Sequence, residues 1–311
     1  VANPFDDVRN LLQTLPPNQA AAIVPGDLGR LGSLGGWIAG WQGKPLPSAD
    51  RALIAIFAAS HGLSERPGSE IRAATRNLLA AFSAGAAPTN AVCAANGLGF
   101  KAFDLAVDLP SGDIAHEPAM DERACVATMA FGMESVAGGT DLLGIGEAST
   151  AAEIAAAAML CALYDDPPNA WLDERRSGPE AVAVVTSALL RHGRAGGDPL
   201  AILASLGGRD LAAMAGAILA ARLERVPVIL DGFTAAAAAA VLHAMDPDAV
   251  GHCLAGHLSA HSCHDALLGR LGLDPLLVGL GIGVGEGVGA ALAAGVVKNA
   301  VAIQRDRARL Q

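Results

Sequence analysis

Short apolar runs recur along the chain, each closed by glycine or a small polar residue, and most lead into an alanine-rich stretch of helical length. Residues 53–59 (LIAIFAA) lead into Ser60, His61 and Gly62, and residues 100–107 (FKAFDLAV) into Asp108. Residues 141–145 (DLLGI) end in Gly146 and Glu147, before a helical pattern over 151–163. Residues 226–230 (VPVIL) end in Asp231 and Gly232, before another over 235–245. Strands separated by helix-length patterns build a parallel sheet covered by helices. The expected fold is therefore α/β, a mostly parallel Rossmann-like sheet with helices on both faces. Ligands bind such sheets at the carboxyl ends of the strands, which places Glu147 and Asp231 at the expected site.

Composition agrees with this layering. Apolar residues make up 52% of the chain but aromatics only 4%, so the core must be closely packed Ala, Val, Leu and Ile. Alanine has the highest helix propensity, which supports the helical reading of the alanine runs. Residues 1–50 differ, with Pro16, Pro17 and Pro25, a glycine-rich stretch over 26–36, then Trp37 and Trp41 one helical turn apart. They are expected to form a small helical subdomain, completed by the C-terminal helix, beside an α/β domain over 51–311. The polar, proline-broken segment 165–178 (DDPPNAWLDERRSG) reads as a surface loop, and the charged tail 304–311 is expected to fray.

A net charge of −10 argues against a nucleic-acid partner, whose phosphates it would repel. Cys93, Cys125, Cys161, Cys253 and Cys263 are scattered and odd in number, which is not a disulfide framework. With no export signal pattern at the start, a cytoplasmic location is expected. Residues 276–297 are nearly long enough to cross a bilayer, but they hold seven glycines and would bury Glu286 near its centre. A buried turn followed by a helix is the expectation there, with no membrane.

That turn is the most conspicuous motif: residues 281–289 (GIGVGEGVG), followed by a clear helical pattern. Alternating glycines let a backbone approach a ligand closely and leave amides free at the helix start. A lone carboxylate among apolar neighbours has its pKa raised, which suits Glu286 to general-base work. A helix N-terminal acid that only complements the dipole fits the same spacing. The turn of Gly144, Gly146, Glu147, Ser149 and Thr150 half resembles a dinucleotide fingerprint, but no strand follows its helix, so it reads as a turn presenting Glu147, Ser149 and Thr150 to a ligand. His252, Cys253, His257, His261, Cys263 and His264 form a third cluster. On a helix, His257 and His261 could share one face and one zinc ion, although the spacing matches no established zinc pattern. A polar segment beside the site is the other reading. Neither a nucleophile elbow nor a triphosphate-binding loop is present.

An ordered series of segments resembles the nicotinate-nucleotide:dimethylbenzimidazole phosphoribosyltransferase family. Residues 26–31 (GDLGRL), 57–62 (FAASHG), 112–120 (GDIAHEPAM), 141–147 (DLLGIGE), 206–221 (LGGRDLAAMAGAILAA), 226–233 (VPVILDGF), 256–268 (GHLSAHSCHDALL) and 283–293 (GVGEGVGAALA) carry it, over most of the chain. The resemblance implies transfer of phosphoribosyl from nicotinate mononucleotide to 5,6-dimethylbenzimidazole, releasing nicotinate, in cobalamin biosynthesis. It implies Glu286 as the base, Glu147 beside the donor, and Val284 and Asn77 lining the base pocket. His257 and Ser259 would lie near the nucleotide, and His61, Ser149, Thr150, Asp231, Gly232, Gly285 and Gly287 would complete the binding site. It also implies a homodimer acting on small molecules, with no cofactor and no metal.

Several polar positions depart from the family pattern. The phosphate loop is shortened to residues 146–150, Ser60 and His261 replace acids, Gly283 stands where the motif carries arginine, and no phosphate-binding lysine segment follows Trp171. The alternatives are a paralogue with an altered donor, one that only binds an azole, and a metal-dependent enzyme built on residues 252–264.

Overall fold

The computed structural model describes residues 3–17, 28–65, 71–149, 151–193 and 197–308. Six strands, all parallel, form one sheet: β1 (Ala52–Ala58), β2 (Gly99–Asp104), β3 (Leu142–Ala148), β4 (Val228–Leu230), β5 (Cys253–His257) and β6 (Pro275–Leu277). Their order across the sheet is β2-β1-β3-β4-β5-β6, so the chain reverses direction of travel at β1. Around the sheet lie α1 (Asp6–Gln13), α2 (Arg30–Gln42), α3 (Ile71–Ser83), α4 (Pro88–Asn96), α5 (Glu122–Met133), α6 (Ala152–Tyr164), the single turn α7 (Glu174–Ser177), α8 (Ala181–His192), α9 (Pro199–Leu206), α10 (Arg209–Leu223), α11 (Gly232–Met245), α12 (His264–Leu271) and α13 (Val288–Ala308).

The period of two along β1 divides the core. Ala55 and Phe57 face a layer that includes α5, α6, α10 and α11, while Ile54, Ile56 and Ala58 face α2, α4 and α13. Alanine builds most of both layers: residues 235–240 of α11 are all buried alanines, and residues 155–158 of α6 likewise. In the N-terminal fifty residues, Phe5, Val8 and Leu12 join the first layer, whereas Leu34 and Ile38 of α2 join the second and pack on α13.

Four expectations are corrected. Glycine at 146 does not end β3, which runs on through Glu147 to Ala148. Residues 253–257 are a strand, not part of a helix: their pairing with β4 and β6 outweighs the polar composition that hid them. Segment 165–178 is not simply a surface loop, because Trp171, Leu172 and Asp173 are buried in it. The tail does not fray at Gln304. Helix α13 continues to Ala308, and the Arg305 guanidinium binds the Asp50 carboxylate and the Pro47 carbonyl.

The apolar run 276–297 is divided between the end of β6, an irregular glycine loop and the start of α13, so it forms no single span. The loop is more open than expected, with Val278, Leu280 and Val284 exposed. Residues 73–96 are also apolar over a spanning length, but a turn with Gly85 at φ +70° separates α3 from α4 there.

Candidate active site

Helix α13 and the loop before it lie across the carboxyl ends of the central strands, and glycine makes the approach possible. A methyl on Gly146 would stand 2.7 Å from the Gly285 carbonyl oxygen and 3.0 Å from the Gly287 amide nitrogen. Gly144 likewise leaves room for Ala290. The Gly-Ile-Gly of β3 is thus a seat for another piece of backbone, which is why it imitates a dinucleotide motif without a nucleotide-binding unit around it.

Asp231, just beyond β4, fixes this loop. Its Oδ2 accepts the Gly287 amide at 2.8 Å and its Oδ1 the Ala290 amide at 2.7 Å. The Gly287 amide also reaches the Gly285 carbonyl, and both amides lie at the start of α13, so a buried carboxylate caps the helix from the end of a different strand. Burial pushes the Asp231 carboxyl up to about 7, against the amides of Ala290, Gly287 and Gly289, which favour the charged form. From the other side, Thr89 Oγ1 of α4 donates to the Glu286 carbonyl at 2.5 Å. Glu286 is therefore held through its backbone, and its side chain is left for the cavity.

That cavity, about 420 Å³, is lined by Glu147, Ser149, Glu153, Arg176, Val284, Gly285 and Glu286, with Leu78 of α3. A narrow recess of about 20 Å³ adjoins it, lined by Asp231, Gly232, Phe233, Ser259 and His261 among others, with room for about one water. The combined size suits a small-molecule ligand. Desolvation raises the pKa of Glu286, which is half-buried. Glu147 is buried, and its pKa is raised well above the usual range by desolvation first, then by the charges of Asp210, Glu153 and Asp231. Its Oε2 has no hydrogen-bond partner among the described residues. The site thus pairs a half-open carboxyl group with a buried one, and burial raises the pKa of both.

Most of the residues singled out from the sequence meet here: Glu147, Ser149, Asp231, Gly232, Ser259, Val284, Gly285 and Glu286 line these two spaces. Gly287, with φ +84°, turns the loop into α13. Three residues stand elsewhere. Asn77 is exposed on α3, and its neighbour Leu78 takes the wall position. His61 lies outside both spaces, 2% exposed, its Nε2 3.0 Å from Asp210 Oδ2. His257 lies wholly buried behind Asp231, with Nδ1 3.8 Å from Asp231 Oδ1, and burial pulls its pKa down to about 4. Thr150, and Gly26 and Asp27 of the first resembling segment, fall outside the described residues.

The histidine cluster makes ring contacts rather than a metal site: His257 and His264 meet edge to face with centroids 6.3 Å apart. His257 ends β5, while His261 sits in the following loop and stacks face to face on Phe233, centroids 3.8 Å apart and 8° from parallel. His264 Nδ1 accepts the Ser259 amide at 3.1 Å and lies 2.9 Å from the Ser259 hydroxyl. Among the described residues, no group of three or more His, Cys, Asp or Glu could hold a metal ion. The helix that would have put His257 and His261 on one face is absent because Cys253–His257 is a strand.

Other residues of the site were not foreseen from the sequence. Thr89 comes from the first turn of α4, Phe233 from the first turn of α11, and Glu153 from α6. Arg176 comes from the segment read as a surface loop, and Asp173 pins that segment down by accepting the Ser262 amide at 3.0 Å. Their only sequence signal was position: Thr89, Glu153 and Phe233 each lie in the first turn of a helix, and Arg176 in a charged pair shortly before a glycine.

Comparison with known proteins agrees with this architecture. A family profile described as Phosphoribosyltransferase matches residues 12–311. The chain is 47% identical over 318 residues to nicotinate-nucleotide–dimethylbenzimidazole phosphoribosyltransferase of Rhizobium meliloti (strain 1021), covering 96% of this chain and 93% of that one. It is 48% identical over 318 residues to the protein of that name from Rhizobium etli (strain CIAT 652), with the same coverage. The crystal structure of the Thermus thermophilus protein of that name superposes with a TM-score of 0.81 at 29% identity, covering 97% of this chain and 95% of that one. With likeness of sequence and fold running through nearly the whole chain, the chain belongs to the nicotinate-nucleotide–dimethylbenzimidazole phosphoribosyltransferase family.

Proposed function

We propose that the protein transfers phosphoribosyl from nicotinate mononucleotide to 5,6-dimethylbenzimidazole, giving α-ribazole 5′-phosphate and nicotinate, in cobalamin biosynthesis. One observation carries the reading beyond family membership: a desolvated carboxylate, Glu286, stands on an amide-clamped loop and shares a cavity with the buried Glu147, whose pKa burial raises. The donor's pyridinium nitrogen is positive, so its bond to C1′ breaks to give a neutral ring nitrogen, and no metal is needed. One ring nitrogen of the azole attacks C1′ from the opposite face, which inverts that carbon to the α configuration. The other ring nitrogen gives up its proton to Glu286. General-base assistance of this kind is worth about 10²–10⁴-fold in rate.

The remaining roles follow from position. Glu147 Oε2, buried and without a partner among the described residues, offers a hydrogen bond to the mononucleotide. Val284, exposed at the rim, and Leu78 offer apolar contact to the azole ring. Ser149 and Ser259 offer hydroxyls to the ribose and phosphate. Asp231, Gly285 and Gly287 serve by holding the loop. His61 and His257 support the site from behind, without touching substrate.

We further place the enzyme in the cytoplasm as a homodimer. The first is supported by its five unpaired cysteines, and the second by exposed Leu109 and Phe131 near an open, largely apolar groove. The test of the reaction is nicotinate release, followed by chromatography, from the purified protein supplied with both substrates. Release that requires the azole and collapses in Glu286→Gln supports the assignment. Azole binding without release favours a paralogue that has changed its donor.

A further inference from the structure

The walls of the two adjoining spaces carry four carboxyl groups, those of Glu147, Glu153, Asp231 and Glu286, and among the described residues a single cationic side chain, Arg176. A mononucleotide brings a phosphate and a pyridine carboxylate, both anionic, into this acidic surround. Something on the wall must receive that charge.

Arg176 is built for the task. It projects from the single turn α7, in the segment that Asp173 anchors to the loop containing His261. Its Nε and Nη2 donate to the Glu153 carboxylate at 2.7–3.1 Å, and Nη2 also donates to the Gly283 carbonyl at 2.8 Å. Among the described residues, no hydrogen bond is made by Nη1, which lies over Gly283, 3.1 Å from where a methyl on that residue would stand. A larger residue at 283 would crowd the guanidinium, so this position being glycine and Arg176 being at the wall are one arrangement. The guanidinium is about a third exposed, open to the cavity, and oriented by acceptors that fix its plane. A planar fork held in this way can take a phosphate or carboxylate with two parallel hydrogen bonds.

We propose that Arg176 is the anion receptor of the site, with Glu153 holding its place in the empty enzyme, and that it takes the anionic oxygen group of the mononucleotide, either the phosphate or the pyridine carboxylate. The assignment rests on the transferase reading for the identity of that ligand. Glu153 is a positioning residue: it orients the guanidinium and gives up part of its contact when substrate arrives.

The experiment is steady-state nicotinate release for the wild type, Arg176→Ala, Arg176→Lys and Glu153→Gln, each substrate varied in turn and folding checked by circular dichroism. Arg176→Ala is expected to raise the KM for the mononucleotide about 10- to 100-fold, as loss of a charged hydrogen bond does. The KM for the azole should move less than about threefold, since it does not meet the guanidinium. Arg176→Lys, a point charge without the fork, should fall between, and Glu153→Gln, which loosens the guanidinium without removing it, should raise the donor KM by less than Arg176→Ala does. Calorimetry with nicotinate riboside and with nicotinamide mononucleotide identifies the group. If the first binds wild type and Arg176→Ala alike, the phosphate is received, and if the second does, the carboxylate is.

A folded Arg176→Ala with an unchanged donor KM overturns the proposal. So does an equal loss in Glu153→Gln, because the pair would then matter only as a structural tie. If the wild type releases no nicotinate, the transferase reading falls separately. Titration of inorganic phosphate into wild type and Arg176→Ala then decides the receptor: binding lost in the variant supports it, and equal binding or none in either overturns it.

Discussion

The Asp231 carboxylate accepts the amide of Gly287 at 2.8 Å, and so fastens the residue next to Glu286 to the end of a central strand. The second oxygen of the same carboxylate takes the Ala290 amide, one turn into α13. Loop and helix are thereby registered against β4 by one buried group, and the reactive carboxylate is placed by hydrogen bonds that its own side chain does not make.

Replacing Glu286 should therefore remove chemistry and spare structure. Glu286→Gln keeps the carbonyl that accepts from Thr89. Its kcat is expected to fall about 10²–10⁴-fold with little change in donor KM, as measured by nicotinate release. A thermal melt should match that of the wild type.

The pH profile should carry both acids. Glu286 must be deprotonated to take a proton, and Asp231 must be deprotonated to accept amides with both oxygens. Each is raised by burial, Asp231 to about 7. Activity should be full on the alkaline side and decline as the pH falls through about 7, rather than near 4, where an unperturbed carboxylate titrates. A plateau that extends unbroken down to about pH 5 would contradict the arrangement.

His61 and Asp210 make a buried pair at 3.0 Å. Burial raises the Asp210 pKa, but the charge and hydrogen bond of His61 outweigh it and hold it below its usual value of 3.8. Asp210 therefore contributes stability that is present above its unfolded pKa and lost as the pH falls through the lower folded one. His61→Ala, which strands the buried carboxylate, should cost about 3–5 kcal/mol in urea unfolding at neutral pH. The difference from wild type should shrink in strong acid.

Gly146→Ala tests the seat of the loop. The added methyl would meet the Gly285 carbonyl oxygen at 2.7 Å, and both partners are backbone, so neither can swing away. Overpacking of this kind costs about 1–3 kcal/mol. Displacement of the loop should lower kcat by more than a stability loss of that size explains, which turnover at a temperature well below the melt would reveal.

Much of the architecture is legible in the chain itself. Residues 53–59, 141–145 and 226–230 each lie on or overlap a strand, because a strand buried on both faces must be a short apolar run, and residues 100–107 overlap the more exposed edge strand β2. The helices α6 and α11 follow from alanine runs in the same way. β5 and β6 escape this reading: one contains Cys253, Gly256 and His257, the other is three residues long, and both are strands because neighbours pair with them.

The division at the site is of the same kind. The sequence alone determined that carboxylates stand at the carboxyl ends of two strands, at Glu147 and Asp231, and that Glu286 sits in a glycine turn before a helix, since those are local patterns. Only the tertiary structure decided that Asp231 spends its oxygens on the Gly287 and Ala290 amides, that His257 ends a strand while His261 stacks on Phe233, and that Arg176 reaches the cavity from a segment with no apolar period. Periodicity reports which face of an element is buried. It carries no information on which distant backbone groups will need a partner, and that need, met through space, put Asp231 behind the loop and Arg176 over Gly283.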